Sequence, residues 1–346
     1  MTQTIRHEDP RLTWQGAVSL QRTPEWSMPW RIPHEERGLF PPEGWQKQPR
    51  QSAGVRISFM SDTTSLAGEV EVTQVDAPVD IYCDGKFQQT LKVRDGRFAS
   101  EELPKGDKLV EVWLPQLSEF RLRTFDISPA AWIVPYQDKR RRWIVYGSSI
   151  THCAAAQSPS YTWPGVVSRA LDLNLTCLGF GSNCHLDPMI ARMMAELPAD
   201  YLTIKVGINV YSKSSLDFRT FQPAIIGFVK AIRDKKPDTP FAVISAIYAP
   251  TREKVENAVK FTIEAMRIEV ADAVSRLQTH GDKHLYYFDG LKLIGPEQGH
   301  LLPDSVHPNA EGYKALGKNF IDEVWPTMSG KAAPARPTVA KVIGGN

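Results

Sequence analysis

From Trp143 onward the sequence repeats one unit. Five short apolar runs of strand length (Trp143 to Tyr146, Leu173 to Leu178, Tyr201 to Val206, Phe241 to Ile247 and Leu285 to Phe288) are separated by longer stretches of helical spacing. Strands this uniformly apolar are buried on both faces, and repeated strand–helix units pair them in parallel beneath covering helices. The pattern predicts an α/β domain, a three-layer α/β/α arrangement around a parallel sheet. The clearest intervening helix reads from Arg252 to Thr279, where Val255, Val259, Ile263, Met266, Val270, Val274 and Leu277 recur every three or four residues. Pro308 and Asn309 introduce a last helix that ends near Trp325.

Before Pro135 the period is two. Val55, Ile57 and Phe59 alternate with polar residues, as do Val70 with Val72, Val79 with Ile81 and Cys83, and Val110 with Val112 and Leu114. Each reads as a half-buried strand. Asp84-Gly85 supplies the positive φ of a tight hairpin turn. The region predicts an all-β sandwich, which the Pro- and Trp-rich first fifty residues wrap as extended segments and short strands. The expected boundaries are 1–128 for the sandwich, 129–142 for a linker, 143–327 for the α/β domain and 328–346 for a disordered tail rich in Pro, Ala, Gly and Lys. The basic run Lys139-Arg140-Arg141-Arg142 reads as part of a solvated linker.

With 346 residues, 42% of them hydrophobic, the chain is long enough for two cores. A net charge of +2 with interspersed signs leaves no electrostatic footprint for nucleic acid or an anionic membrane. No signal-like N-terminus and no apolar run of membrane-spanning length is present, so the expected location is cytoplasmic. Cys83, Cys153, Cys177 and Cys184 lack zinc spacing and read as free thiols. Function therefore has to come from a site.

In an open α/β sheet that site lies beyond the carboxyl ends of the strands. The first strand ends in Gly147-Ser148-Ser149, which puts the Ser149 hydroxyl at the mouth of the sheet near a positive helix end. The second ends in Gly179-Phe180-Gly181-Ser182-Asn183, a small-residue loop whose N–H groups suit a developing negative oxygen. The third ends in Gly207-Ile208-Asn209, adding an amide donor, and near the C-terminus Asp304 stands three residues before His307 at a spacing that lets it orient the imidazole. Taken singly, each has an ordinary structural use: Ser149 as a helix cap, Asn209 and Asp304 as turn formers, His307 as a capping or core histidine. His152, His185 and Asp187 flank the site as candidates to touch substrate or position its loops. Lys205, a charge inside an apolar strand, reads as half of an ion pair, and Cys153 as a residue packed into the following helix.

The order of these blocks along the chain resembles the SGNH (GDSL) hydrolase superfamily, from about Trp143 to Trp325. The resemblance implies a flavodoxin-like fold with Ser149 as nucleophile, His307 as general base, Asp304 as its orienting carboxylate and Asn209 as the oxyanion-hole side chain. Backbone N–H groups of Ser149 and of the Gly181-Ser182 loop complete the hole. Three positions depart from the superfamily pattern: Ser148 stands for the usual Asp of Gly-Asp-Ser, Gly181-Ser182 for Ser-Gly, and Val210 for the Asp of Gly-x-Asn-Asp. The second departure leaves the loop donor open between Gly181 and Ser182, with Ser182 preferred. The stretches GSSITHC, GFGSNCHLDP and KVGIN, behind a β-rich, jelly-roll-like domain, are similar to a narrower branch that includes an acyltransferase tailoring an aromatic polyketide antibiotic. The implied function is a serine esterase acting on an O-acyl ester of a small molecule or glycan. The alternatives are an O-acyltransferase and a non-catalytic carbohydrate-binding protein. No metal or organic cofactor is implied, and the oligomeric state is not legible.

Overall fold

A computed structural model of the protein describes residues 2–100 and 102–331. The greater part of the expected tail, from residue 332, lies outside the described residues. By compactness the chain divides into two units, one of residues 1–142 with 152–178 and one of 143–151 with the chain from 179 onward.

The first unit contains two antiparallel six-stranded sheets. One runs Ser19–Arg22, Ser27–Trp30, Phe120–Ile127, Leu66–Val72, Arg97–Ser100, with Gln3–Arg6 paired to Phe120–Ile127. The other runs Ile133–Pro135, Arg56–Ser61, Lys108–Trp113, Pro78–Cys83, Lys86–Lys92, with Thr13–Gln15 paired to Arg56–Ser61. Their facing residues, among them Ile57, Phe59, Ile81 and Val112 from one sheet and Leu66, Val70, Leu122 and Phe125 from the other, form one apolar core. The hairpin at Asp84-Gly85 turns with φ of 47° and 72°.

Two expectations change here. The alternating strands of the second sheet are buried on both faces, because segment 158–175 of the same unit covers their polar side. Arg56, 1% exposed, donates to Asn174 Oδ1 at 2.7 Å, and the buried Asp80 carboxylate accepts from Ser158 Oγ, Ser160 Oγ and Ser160 N at 2.6, 2.6 and 2.9 Å. Alternation reports that the two faces differ in polarity, and here the polar face is buried with its partners supplied. Nor is the basic run wholly solvated: Arg140 pairs with Glu111 at 2.9 Å and Asp138 at 2.8 Å, while Arg141 and Arg142 are exposed.

The parallel sheet has five strands in the order Leu173–Gly179, Arg141–Gly147, Tyr201–Lys205, Phe241–Ile244, Leu285–Phe288. Gly147 lies opposite Lys205, Lys205 opposite Ile244, and Ile244 opposite Phe288, so these strands stop level with one another. Each following loop therefore opens at one edge. The helix expected from Arg252 begins at Ile263 instead and runs to Thr279. Thr262 caps it, its side chain accepting from Ala265 N, and Asn257 Oδ1 takes the N–H groups of Val259 and Phe261 into a turn. Side chains that satisfy backbone donors locally compete with the helix, and here they win over the spacing of Val255 and Val259. Asn309 caps the last helical segment, which runs from Ala310 through a π turn at Phe320–Val324 to Met328. No helix of the described residues is long and apolar enough to cross a membrane.

Candidate active site

The Arg141–Gly147 strand turns directly into the short helix Ser149–His152. A Cβ on Gly147 would stand 2.2 Å from Thr151 Oγ1, so close approach of the returning chain, rather than an unusual φ, demands glycine there. The buried Ser148 hydroxyl accepts from Ile150 N at 3.2 Å. Capping thus falls to Ser148, and the partly exposed Ser149 side chain faces elsewhere: its Oγ lies 2.8 Å from His307 Nε2.

His307 is oriented by its own loop. Its Nδ1 is 2.6 Å from Asp304 Oδ2, while Asp304 Oδ1 accepts from the backbone N–H groups of His307 at 2.6 Å and Val306 at 3.0 Å. An ionised carboxylate only accepts, so Nδ1 carries the hydrogen and Nε2 presents its lone pair to the Ser149 hydroxyl. Burial alone would raise the Asp304 carboxyl, but the hydrogen bonds from His307 and Val306 outweigh it and hold the group at about 2. Between Asp304 and His307, Ser305 adopts φ 64°, a left-handed conformation that folds the loop back on itself.

The third block places Asn209 on the helix Ile208–Lys213, entered through Gly207 at φ 120°, where glycine is needed for the backbone. Asn209 is 6% exposed, and its Oδ1 accepts from Cys184 N at 3.1 Å, which leaves Nδ2 as the donor end of the amide. The second block is tied to the first by Phe180 N donating to Gly147 O at 2.8 Å. It then makes a turn closed by Asn183 N to Phe180 O at 3.1 Å, with Ser182 at φ 60°. That is the conformation a glycine adopts without steric cost, in keeping with the Ser-Gly order of many superfamily members.

Ser149, His307 and Asp304 thus form one hydrogen-bonded chain, and Asn209 is joined through Cys184 to the loop that carries Gly181 and Ser182. The arrangement can pass a proton from a hydroxyl to an imidazole whose far side rests on a carboxylate. Of the flanking candidates, His152 is buried and its Nε2 lies 2.5 Å from Gln116 O; burial, with Arg31 adding to it, pushes its imidazole down to about 3. Asp187 precedes the helix Pro188–Glu196, but its side chain makes no cap bond and one oxygen is buried without a partner among the described residues. Burial raises that carboxyl. Lys205 is buried within its strand. All four cysteines are buried and unbridged; Cys153 sits just past the short helix at φ 64°, not within the next one. Sequence reading missed the Ser148 cap and the Cys184 N–H. The first is signalled only by a second serine in the turn, and the second by nothing local. No group of three or more His, Cys, Asp or Glu among the described residues is placed to hold a metal ion.

Comparison with known proteins matches two stretches of the chain separately. The family described as GDSL-like lipase/acylhydrolase matches residues 140–324, and one described as the N-terminal domain of SsfX3 matches residues 12–123. Among solved structures, the salicylyl-acyltransferase SsfX3 from a tetracycline biosynthetic pathway is 34% identical, with 97% of this chain and 99% of that one covered and a TM-score of 0.88. A protein described as a GDSL-like lipase from Bacteroides ovatus is 21% identical over 95% and 98% of the two chains, TM-score 0.76. A family two carbohydrate esterase from Cellvibrio japonicus is 14% identical over 96% and 99%, TM-score 0.67; these last two share the fold. Among curated proteins no match is found.

Proposed function

The chain belongs to the GDSL-like lipase/acylhydrolase family, a GDSL/SGNH-type enzyme, and from that premise we propose that it cleaves an O-acyl ester of a small molecule or glycan through an acyl-enzyme on Ser149. The observation that carries this reading is the continuous chain from Ser149 Oγ to His307 at 2.8 Å and from His307 to Asp304 at 2.6 Å. His307 Nε2 takes the Ser149 proton as the oxygen attacks the ester carbonyl. The negative oxygen of the tetrahedral intermediate is met by Asn209 Nδ2, the Ser149 N–H and an N–H of the second block, that of Ser182 in preference to Gly181. Collapse expels the alcohol, which receives the proton from His307 Nε2. Water then attacks the acyl-enzyme, gives its proton to His307, and the acid leaves with Ser149 restored.

A second reading ends the same acyl-enzyme on a different acceptor. The 34% identical relative is a salicylyl-acyltransferase, and its likeness over nearly the whole chain favours transfer to the hydroxyl of a natural product or sugar as the alternative to hydrolysis. Water exclusion and the shape of the acceptor cleft decide between the two outcomes. The test is to follow nitrophenol release from p-nitrophenyl esters, aliphatic and salicylyl, by wild type and Ser149→Ala, with and without alcohol acceptors. Loss of release in the variant is the expected result, with the ester-to-acid ratio of products separating transfer from hydrolysis. Equal release by both proteins contradicts the reading.

A further inference from the structure

The proposed mechanism leaves unexplained what holds Ser182 at φ 60°, where a non-glycine residue is strained and whose N–H has to point at a reacting oxygen. Two side chains grip the peptides on either side of it. The Asn183 amide Nδ2 donates to Gly181 O at 2.6 Å, and that carbonyl shares its planar peptide with the Ser182 N–H. In a trans peptide the carbonyl and N–H point in opposite directions, so fixing one aims the other. On the far side, His185 Nε2 lies 2.9 Å from Ser182 O and its Nδ1 2.8 Å from Ser215 Oγ. A carbonyl can only accept, so Nε2 carries hydrogen and donates to Ser182 O, while Nδ1 is the ring atom that meets the Ser215 hydroxyl.

Ser215 is itself anchored to the Asn209 helix. Its N–H donates to Val210 O at 3.2 Å, just after the left-handed Ser214 that ends the helix. The imidazole therefore spans the second and third blocks, in parallel with the Cys184 N–H to Asn209 Oδ1 bond at 3.1 Å. We propose that Asn183 and His185 are positioning residues of the oxyanion site, setting the direction of the Ser182 N–H and its register with Asn209. The proposal rests on the serine-ester reading above. It also gives the departure from Ser-Gly a physical account: where glycine would adopt this backbone unaided, Ser182 is held there by its neighbours.

The test compares wild type with Asn183→Asp, His185→Ala, His185→Gln and Ser215→Ala, measuring kcat and KM for p-nitrophenyl acetate alongside thermal unfolding, with Ser149→Ala as reference. Loss of one oxyanion donor typically lowers turnover about 10²–10³-fold. The expected result is a fall of about 10- to 100-fold in kcat for Asn183→Asp and His185→Ala with KM little changed, and partial recovery in His185→Gln, which keeps a donor for Ser182 O. Ser215→Ala, lacking only the far partner of the bridge, is expected to lie between wild type and His185→Ala and carries the test if the alanine variant does not fold. Wild-type kcat in Asn183→Asp and Ser215→Ala, with Ser149→Ala inactive, overturns the positioning role and leaves the serine mechanism standing. An active Ser149→Ala overturns both.

Discussion

At Asn209 the backbone assigns the two ends of the side-chain amide. Oδ1 is taken by the Cys184 N–H, so in the proposed mechanism Nδ2 is the group that meets a substrate oxygen. This separates two substitutions that a purely structural role would treat alike. Asn209→Ala is expected to lower kcat about 10²–10³-fold with little change in KM. Asn209→Asp keeps the acceptor for Cys184 but turns an oxygen toward the developing charge, and is expected to be at least as damaging; activity in Asn209→Asp near wild type contradicts the assigned donor. Asp304 offers a second division. Asp304→Asn keeps the shape of the loop but no longer selects the Nδ1–H form of His307, and kcat should fall by about 10²–10⁴. Its carboxyl, held at about 2 against an ordinary 3.8, stays ionised in any assay above about pH 4. Being lowered in the folded state, it contributes stability that is fully present above 3.8 and lost as pH falls toward about 2. An Asp304→Asn variant whose unfolding free energy falls as steeply between pH 4 and 2 as that of wild type would contradict this.

The first three of the proposed blocks each follow a strand end with a tight reversal, and the loops of the site use three physical devices. Gly147 is selected by space and Gly207 by backbone angle. Gly147→Ala should destabilise by about 1–3 kcal/mol, as overpacking does, and Thr151→Ala in the same chain should recover part of the loss because it removes the atom 2.2 Å away. Gly207→Ala has no neighbour nearer than 3.5 Å, so no partner truncation should rescue it. Thermal or denaturant unfolding of the single and double variants checks both statements. The third device is the left-handed non-glycine residue, seen at Ser182, Ser214 and Ser305. Strain of this kind gathers where a loop has to be held in one shape. The strands and the glycine turns were legible because apolar runs and Gly-Ser or Gly-x-Asn signals are local. The left-handed serines were not, since serine carries no intrinsic signal for φ above zero. The stretch 252–262 misled for a related reason: helical spacing at Val255 and Val259 is visible in sequence, whereas the Asn257 turn and the Arg267–Glu253 pair at 2.5 Å that holds Glu253 against the helix are tertiary.

Across the whole molecule, buried polar groups tie stability to pH. His152, 3% exposed and neutral, is pushed by burial from 6.5 down to about 3. Its folded value is depressed, so its contribution is complete above about 6.5 and is lost progressively as pH falls toward 3, where the unfolded chain binds a proton that the native chain refuses. His152→Gln, which keeps a donor for Gln116 O, should flatten the fall in unfolding free energy between pH 6 and about 4; an unchanged slope assigns acid sensitivity to other groups. The two-part architecture was legible because period two and the βα unit are different patterns, and the four blocks proposed as the site could be read together because their order is itself a signal. Burial of Arg56 and Asp80 was not, because a polar residue at an alternating position looks the same whether it faces water or a later segment of chain. The central claim, a covalent acyl-enzyme on Ser149, is tested most directly by mixing enzyme with p-nitrophenyl ester, quenching in acid within milliseconds to seconds, and mapping the protein by mass spectrometry. The account predicts one acyl increment on the peptide containing Ser149, absent in Ser149→Ala. Nitrophenol release with no increment, or an increment on Cys153 or another side chain, would contradict it.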